Sequence, residues 1–516
     1  MFKYGFDFLT VSKALSILHG ELKAVVTDET RELIEKSHSA VLEIAKGKKV
    51  VYGINTGFGP LCNTIIDSDK TSELQRNLLL SHSVGVGSPI AKELSKLMLI
   101  LKVHSLSRGF SGVSMQVIDR ILWHIGEDII PLVPCQGSVG ASGDLAPLAH
   151  LFLPLVGEGK VLYRDSVMET IDVLSLYGKE PLQLEPKAGL ALINGTQFML
   201  SHALMLVDLF YNCLSHADII AALMIEGLMG SEKPFEEELH ALRPFKGNMH
   251  VARRINKFLE GSGIIESHKD CNRVQDPYSL RCVPQVHGSS RSAWLHLKEA
   301  VETELNSVTD NPIVFSKDLT ISGGNFHGQP LALPIDYACL AASEIGSISD
   351  RRSYLSLEGK TADTPKLLMK DTGLHSGFMI LQYTSAALAS ENKGLCFPSS
   401  ADSIPTSLGQ EDHVSMGSIG VRKALKVCDN LVKILAVEMV CAAQAYDFRK
   451  PLKSGETIEL IHQAIRNHIT HADKDRIFSL DIEKAIEMIH SKELLNIVQK
   501  LKKEPYSEYD DLFEKY

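Results

Sequence analysis

The chain has 516 residues, 44% hydrophobic and 22% charged, with a formal net charge of −10. This is the composition of an ordinary soluble globular protein with room for a large core, and without a basic tract it argues against a nucleic-acid partner. Nine cysteines are scattered from Cys62 to Cys441 with no C-x-x-C pair, and the 20 histidines show no metal-ligand spacing, which argues against a disulfide framework and a metal site. Residues 1–10 lack an apolar core long enough for a signal peptide, so a cytoplasmic protein with reduced thiols is expected.

Thr27 and Asp28 form the first helix-start signal, for a helix over 31–45 with Leu33, Ile34, Val41 and Ile44 on one side and Gly47 as its stop. A turn-rich stretch at 52–60 follows. Helices are predicted at 91–107 and 113–126, parted by Gly109 and Gly112, before another turn-rich segment at 131–147. Residues 198–230 form the most apolar run, but Asp208, Asp218, Glu226, His202 and His216 interrupt it. It therefore lacks the charge-free stretch of about 18 residues that a membrane span needs, and a helix apolar on most sides has to be wrapped by others. Further helices are predicted at 292–307, 335–357, 378–393 and 421–448, with turn-rich segments at 274–284, 322–330 and 398–417.

Strand-like alternation is rare. The expected fold is mainly α, an elongated bundle of long helices with a helical and loop-rich N-terminal portion. With no repeat or compositional linker the division is loose: 1–200, a central bundle at 201–450 and a C-terminal helical region at 451–516. The unusual polar residues gather in the turns, a common arrangement for function carried on a rigid scaffold.

The most informative segment is 137–150, Gly-Ser-Val-Gly-Ala-Ser-Gly-Asp-Leu-Ala-Pro-Leu-Ala-His. If the amide nitrogen of Gly143 attacks the carbonyl carbon of Ala141, a five-membered ring closes, and loss of two waters leaves a methylidene made from Ser142. Closure needs a tight turn and a nitrogen on a residue without Cβ. Ala141 offers an uncrowded carbonyl, Ser142 a hydroxyl that can leave, and Asp144 a group for proton transfer. An isolated Ala-Ser-Gly is ordinary loop punctuation. A hydrolase nucleophile elbow fails because Asp144 stands where G-x-S-x-G needs its last Gly.

The whole stretch resembles the signature of the aromatic amino-acid lyase family, which comprises histidine, phenylalanine and tyrosine ammonia-lyases and related aminomutases. The likeness runs from about Tyr52 to about Asp447. It implies a 4-methylidene-imidazol-5-one formed autocatalytically from Ala141, Ser142 and Gly143, with no external cofactor and no metal. It also implies a homotetramer whose active sites each combine segments of three subunits. Such enzymes remove a scarcely acidic β-proton and a poor amine leaving group, so they need a strong electrophile and a placed base.

The resemblance supplies candidates for those tasks. In Tyr52-Gly-Ile-Asn-Thr-Gly-Phe-Gly59, Tyr52 matches the candidate base, which predicts hydrogen-bond donors or positive charge around its hydroxyl. Asn194, in Leu-Ile-Asn-Gly-Thr-Gln, matches an amide set against the ring or the substrate amine. In Gln275-Asp-Pro-Tyr278-Ser-Leu-Arg281-Cys, Arg281 would clamp the substrate carboxylate, with Tyr278 and Gln275 facing the reacting centre. Phe326, in Gly-Gly-Asn-Phe-His-Gly, would pack on the electrophile. His327 reads as a structural, hydrogen-bonded histidine.

Substrate choice falls on two positions. Ser81-His82 resembles the ring-contacting pair of the histidine-specific members, although some bacterial tyrosine lyases share it. In Gln410-Glu411-Asp412-His413, Glu411 stands where phenylalanine and tyrosine lyases typically have an amide sequence. A histidine and a carboxylate can hold imidazole, whereas a phenyl ring would leave both buried and unpaired, at a cost of several kcal/mol. The resemblance therefore implies L-histidine as substrate, with trans-urocanate and ammonia as products and no nucleic-acid or membrane partner. One departure is Gly409, where histidine-specific members usually carry Asn.

Two routes stay open, amine addition to the methylidene with β-proton loss to Tyr52, or attack by the imidazole. The alternatives are a tyrosine or phenylalanine lyase or aminomutase of the same family, a fumarase-like helical elimination enzyme, and a non-catalytic helical scaffold.

Overall fold

The computed structural model describes residues 1–516 except 48, 49, 58, 60–65, 67–69, 272 and 362. Five long helices form its centre: α1 (Gln197–Gly227), α2 (Val283–Leu305), α3 (Gln329–Leu357), α4 (Met379–Leu395) and α5 (Gly417–Asp447). α5 lies along both α1 and α3, α2 packs on α1 and α3, and α4 covers α5. The fold is mainly helical, as expected.

The apolar composition of α1 follows from this wrapping. By length and composition α1 and α3 could each cross a membrane, yet 83% and 67% of their most apolar windows are buried inside the protein. The charges within the bundle are paired. Asp218 on α1 accepts hydrogen bonds from Arg291 (2.5 Å) and His287 (2.8 Å) of α2, and Arg352 of α3 pairs with Glu438 of α5. Uncompensated, such charges would cost several kcal/mol each.

Two predicted helix starts move by more than five residues. α2 begins nine residues before the expected 292, because Pro284 fits a first helical turn and Gly288 is a contact point and not a break. A Cβ there would lie 2.5 Å from the Asn248 nitrogen of the neighbouring helix Lys246–Leu259. α3 begins at Gln329 instead of 335, with Pro330 in its first turn.

The capped helix Asp28–Lys46 forms with the Thr27 hydroxyl accepting from Thr30 N at 3.2 Å and Gly47 at its end. Leu33 is not on its core face. It is 38% exposed, being one residue off the stripe of Ile34, Val41 and Ile44.

Short strands matter only for placement. Helix Thr71–His82 runs into strand Val86–Pro89, which pairs antiparallel with Pro134–Gln136. That pairing sets the end carrying His82 beside the chain entering Gly137. A separate antiparallel sheet of Ile130–Pro131, Lys160–Tyr163 and Ser166–Glu169 lies behind it in sequence.

Candidate active site

The tripeptide 141–143 sits where three helix N-termini converge. Met199 N, in the first turn of α1, donates to the Asp144 carboxylate at 2.9 Å. Ser415 and Met416, just before α5, donate to the carbonyls of Gly140 (hydroxyl, 3.1 Å) and Val139 (backbone, 2.9 Å). Gly328, at the start of α3, lies against Met199 and Ser415 so closely that a Cβ would come within 2.3 Å of Met199 Cε. Helix N-termini carry partial positive charge, which favours negative charge developing nearby.

The backbone itself is folded tightly. Ala141 and Gly143 pair across Ser142, and Gly143 pairs with Gly195. Gly143 has φ +78°, and a Cβ on it would lie 2.0 Å from the Gly195 oxygen, so only glycine fits. Asp144 N donates to the Gly195 carbonyl at 2.8 Å, and Gly195 N donates to the Ser142 carbonyl at 3.4 Å. This conformation suits ring closure, since a small residue precedes the hydroxyl and a residue without Cβ follows it.

Asp144 is fully buried. Burial pushes its carboxyl up to about 7, against the opposing hydrogen bonds from Met199 N and the Ser138 hydroxyl. A proton can therefore move on or off this group near neutral pH.

Ser142 points its hydroxyl at Glu411, donating to Oε1 at 2.9 Å. The other oxygen, Oε2, accepts from the hydroxyls of Thr406 (2.7 Å) and Ser407 (2.9 Å). His82 lies close enough for the Glu411 charge to act on it. Burial lowers the imidazole of His82, while the Leu78 carbonyl and Glu411 act in the opposite direction. The loop that carries Glu411 turns through Ser407, Leu408 and Gly409 with φ of +50°, +53° and +87°. Its hydrogen bonds include Gly409 N to Thr406 O at 3.0 Å and Thr406 N to Glu411 O at 2.9 Å. Gly409 thus occupies a left-handed position that glycine takes without strain.

Three further candidates are placed as follows. Tyr52 is half-buried and accepts a hydrogen bond from Gly59 N at 3.2 Å, a donor of the kind expected for a base; Phe58 of the same motif lies outside the described residues. Phe326 is half-buried just before Gly328, and its neighbour His327 stacks on His413 with rings 6.1 Å apart and contacts the His413 carbonyl. Asn194 is buried, and its amide nitrogen donates to Asp310 (3.1 Å) and to the Asn311 carbonyl (2.9 Å). The group that reaches the tripeptide from this turn is the Gly195 backbone.

Gln275, Tyr278 and Arg281 lie elsewhere. Arg352 of α3 donates to the Ser279 carbonyl at 3.5 Å, whereas Gly328 at the start of α3 is beside the tripeptide. From Gly328 to Arg352 the helix rises roughly 35 Å, at about 1.5 Å per residue. No side chain spans that. Tyr278 is 71% exposed, the Arg281 guanidinium lies 4.7 Å from its ring centroid, and Gln275 is exposed.

Several residues escaped the sequence reading. Lys102 is fully buried behind the Asn194 turn, with Asp310, Lys187 and Gln197 around it. The only signal was a lysine inside the apolar run Leu97 to Val103 of a predicted helix. Met199 and Ser415, which hold the tripeptide's flanks, belong to no pattern of their own.

The family model "Aromatic amino acid lyase" matches residues 9–467. The chain is 42% identical over 494 residues to a histidine ammonia-lyase of Myxococcus xanthus, covering 96% of this chain and 97% of that one. Among solved structures, histidine ammonia-lyase from Trypanosoma cruzi superposes with a TM-score of 0.90 at 36% identity, over 99% of this chain and 96% of that chain. A tyrosine aminomutase from Streptomyces globisporus gives 0.92 at 33% identity, over 98% of this chain and 100% of that chain.

Proposed function

This chain belongs to the aromatic amino acid lyase family, and on that premise we propose that it removes ammonia from L-histidine to leave trans-urocanate. The observation that carries the choice of substrate is the meeting of Ser142 and Glu411 at 2.9 Å, with the charge of the same carboxylate acting on His82. An imidazole beside the tripeptide finds a carboxylate for one N–H and a histidine for ring contact. A phenyl ring would strip water from both without replacing its hydrogen bonds.

The residues fit the prosthetic ring that the family implies. Gly143 has no room for a side chain, Ala141 pairs with it across Ser142, and the departing Ser142 hydroxyl has a partner. A methylidene-imidazolone made from these three residues would supply an electrophilic carbon to the substrate. Tyr52 takes the β-proton as its phenolate, which the Gly59 N–H steadies beforehand. Glu411 and His82 orient the imidazole. The Gly195 N–H holds the Ser142 carbonyl, and Asp144 holds the turn against the start of α1.

Carboxylate binding requires other copies of the chain. Arg281 and Tyr278 lie roughly 35 Å along α3 from the tripeptide, and both are accessible enough to serve a neighbouring subunit's site. We assign the protein to a homotetramer with shared sites. The eight described cysteines are all unpaired, which supports a cytoplasmic location.

Incubation with each aromatic amino acid tests the reading. Urocanate absorbance from histidine alone is expected, with a peptide containing 141–143 lighter by two waters, roughly 36 Da. A cinnamate-type product or a β-amino acid would assign the chain to another activity of the family, and an uncyclised tripeptide in fully active protein would overturn the mechanism.

A further inference from the structure

Lys102 lies on helix Lys92–Leu106 and is 2% exposed. Its ammonium donates to the Asn194 backbone carbonyl at 2.5 Å and to the Gln197 side-chain carbonyl at 3.5 Å. Both acceptors are neutral. Asp310, a carboxylate whose charge acts on Lys102, is already bound to Lys187 at 2.5 Å and to the Asn194 amide. A buried ammonium directed at a neutral carbonyl is costly, and burial lowers Lys102 to about 7.

What lies across that peptide group accounts for the placement. The Asn194 carbonyl and the Gly195 N–H are the two ends of one planar, polarisable amide, and the Gly195 N–H donates to the Ser142 carbonyl oxygen. Ring closure expels the Ala141 carbonyl oxygen and the Ser142 hydroxyl oxygen as water. The Ser142 carbonyl oxygen stays, conjugated to the methylidene. A nucleophile adding to that methylidene drives negative charge onto this oxygen, where a donor aimed in advance is most effective.

We propose that Lys102 is a positioning residue for the electrophile: through the Asn194–Gly195 peptide it strengthens the N–H that holds the Ser142 carbonyl oxygen. Positive charge at the carbonyl end of an amide makes its N–H a better donor, and chained hydrogen bonds reinforce one another in a low-dielectric interior. The fixed backbone makes the path rigid. A Cβ on Gly195 would lie 2.6 Å from the Thr309 hydroxyl, so the turn has no room to shift. Asp310 and Lys187 then act as a neutral pair that braces Asn194 and leaves the Lys102 charge directed at its carbonyl.

The inference rests on the ring proposed above, and its test is read on the resting enzyme without substrate. Lys102→Met, Lys102→Gln and Lys102→Arg are prepared as full-length protein, and the mass of the 141–143 peptide shows whether each has lost two waters. Cyanide is then added, and its covalent uptake by the cyclised protein is timed by mass. Removing a direct oxyanion donor costs about 10²–10³ in rate, so a donor strengthened through one peptide group should slow uptake about tenfold in Lys102→Met. Lys102→Gln should be similarly slow, and Lys102→Arg should come within about twofold of the unchanged protein.

A merely structural lysine would alter melting temperature and the yield of ring, not the reactivity of rings already formed. Cyanide uptake at the unchanged rate in cyclised Lys102→Met overturns the proposal, as does an Arg variant as slow as Met. If Met does not fold, the Gln variant carries the same reading. An unchanged protein without the two-water loss would instead defeat the ring itself.

Discussion

Ser142 donates its hydroxyl hydrogen to Glu411 across 2.9 Å, so the residue expected to lose its oxygen and the residue expected to recognise the substrate ring meet at one point. The two are 269 positions apart in the chain. Electrophile and specificity are therefore coupled by geometry, and a change at Glu411 bears on both.

Glu411→Gln keeps the shape but replaces a carboxylate with an amide that has only one acceptor atom. A lost charge-assisted hydrogen bond to imidazole should lower kcat/KM for histidine about 100-fold, or about 3 kcal/mol. Steady-state kinetics check this, with peptide mass separating loss of binding from loss of the ring. A value within threefold of the unchanged protein would remove Glu411 from substrate recognition.

Tyr52→Phe deletes the hydroxyl that Gly59 N contacts and leaves the tripeptide untouched. The expected outcome is a fall in kcat of about 10³, the usual scale for a general base, with KM within a few-fold and the two-water loss intact. Full turnover in this variant would assign the proton to another group.

Gly143→Ala sets a methyl group 2.0 Å from the Gly195 oxygen. The turn must open, and the attacking nitrogen moves away from the Ala141 carbonyl. Mass analysis should find both waters retained and no detectable urocanate; a cyclised, active protein would show that the tight turn is dispensable.

Subunit sharing is checked by mixing two inactive variants. Ser142→Ala lacks the electrophile and Arg281→Ala lacks the carboxylate clamp. If a site takes them from different chains, co-folding the two at equal amounts restores about a quarter of the sites. Sites built within one chain would restore nothing.

Acid stability should report on the bundle's buried charges. Burial of Asp218 opposes its ionisation, but Arg291, His287 and Arg254 more than reverse this and hold the carboxyl well below the usual carboxylate range. Its contribution is therefore full above about pH 4, where the unfolded carboxyl is ionised, and is lost as pH falls through the lower folded value. Asp218→Asn leaves buried guanidinium groups uncompensated and should cost about 3–5 kcal/mol. Melting curves between neutral pH and pH 2 should show lower stability at neutral pH and a shallower acid dependence.

Local sequence carried much of this. The run 137–150 held its chemistry in adjacent residues, and a helix such as α5 repeats its apolar positions closely enough to be recognised without a partner. Legibility failed where a residue's meaning depends on what crosses it. The helix start expected at 292 lies at Val283, with Gly288 a helix contact; Leu33 looked like core and is exposed. Lys102 carries no pattern of its own in the sequence and lies behind the Asn194 turn.

The amino-acid sequence alone determined the class of chemistry, because ring closure involves three consecutive residues and the propensity to turn is local. It also determined the helical class of the fold. Only the tertiary structure decided that Glu411 reaches Ser142, that the Gly195 backbone and not the Asn194 amide faces the tripeptide, and that Arg281 lies at the far end of α3. Those relationships depend on packing between segments distant in sequence, where the position of a side chain is set by the helices that bury it and not by its neighbours in the chain.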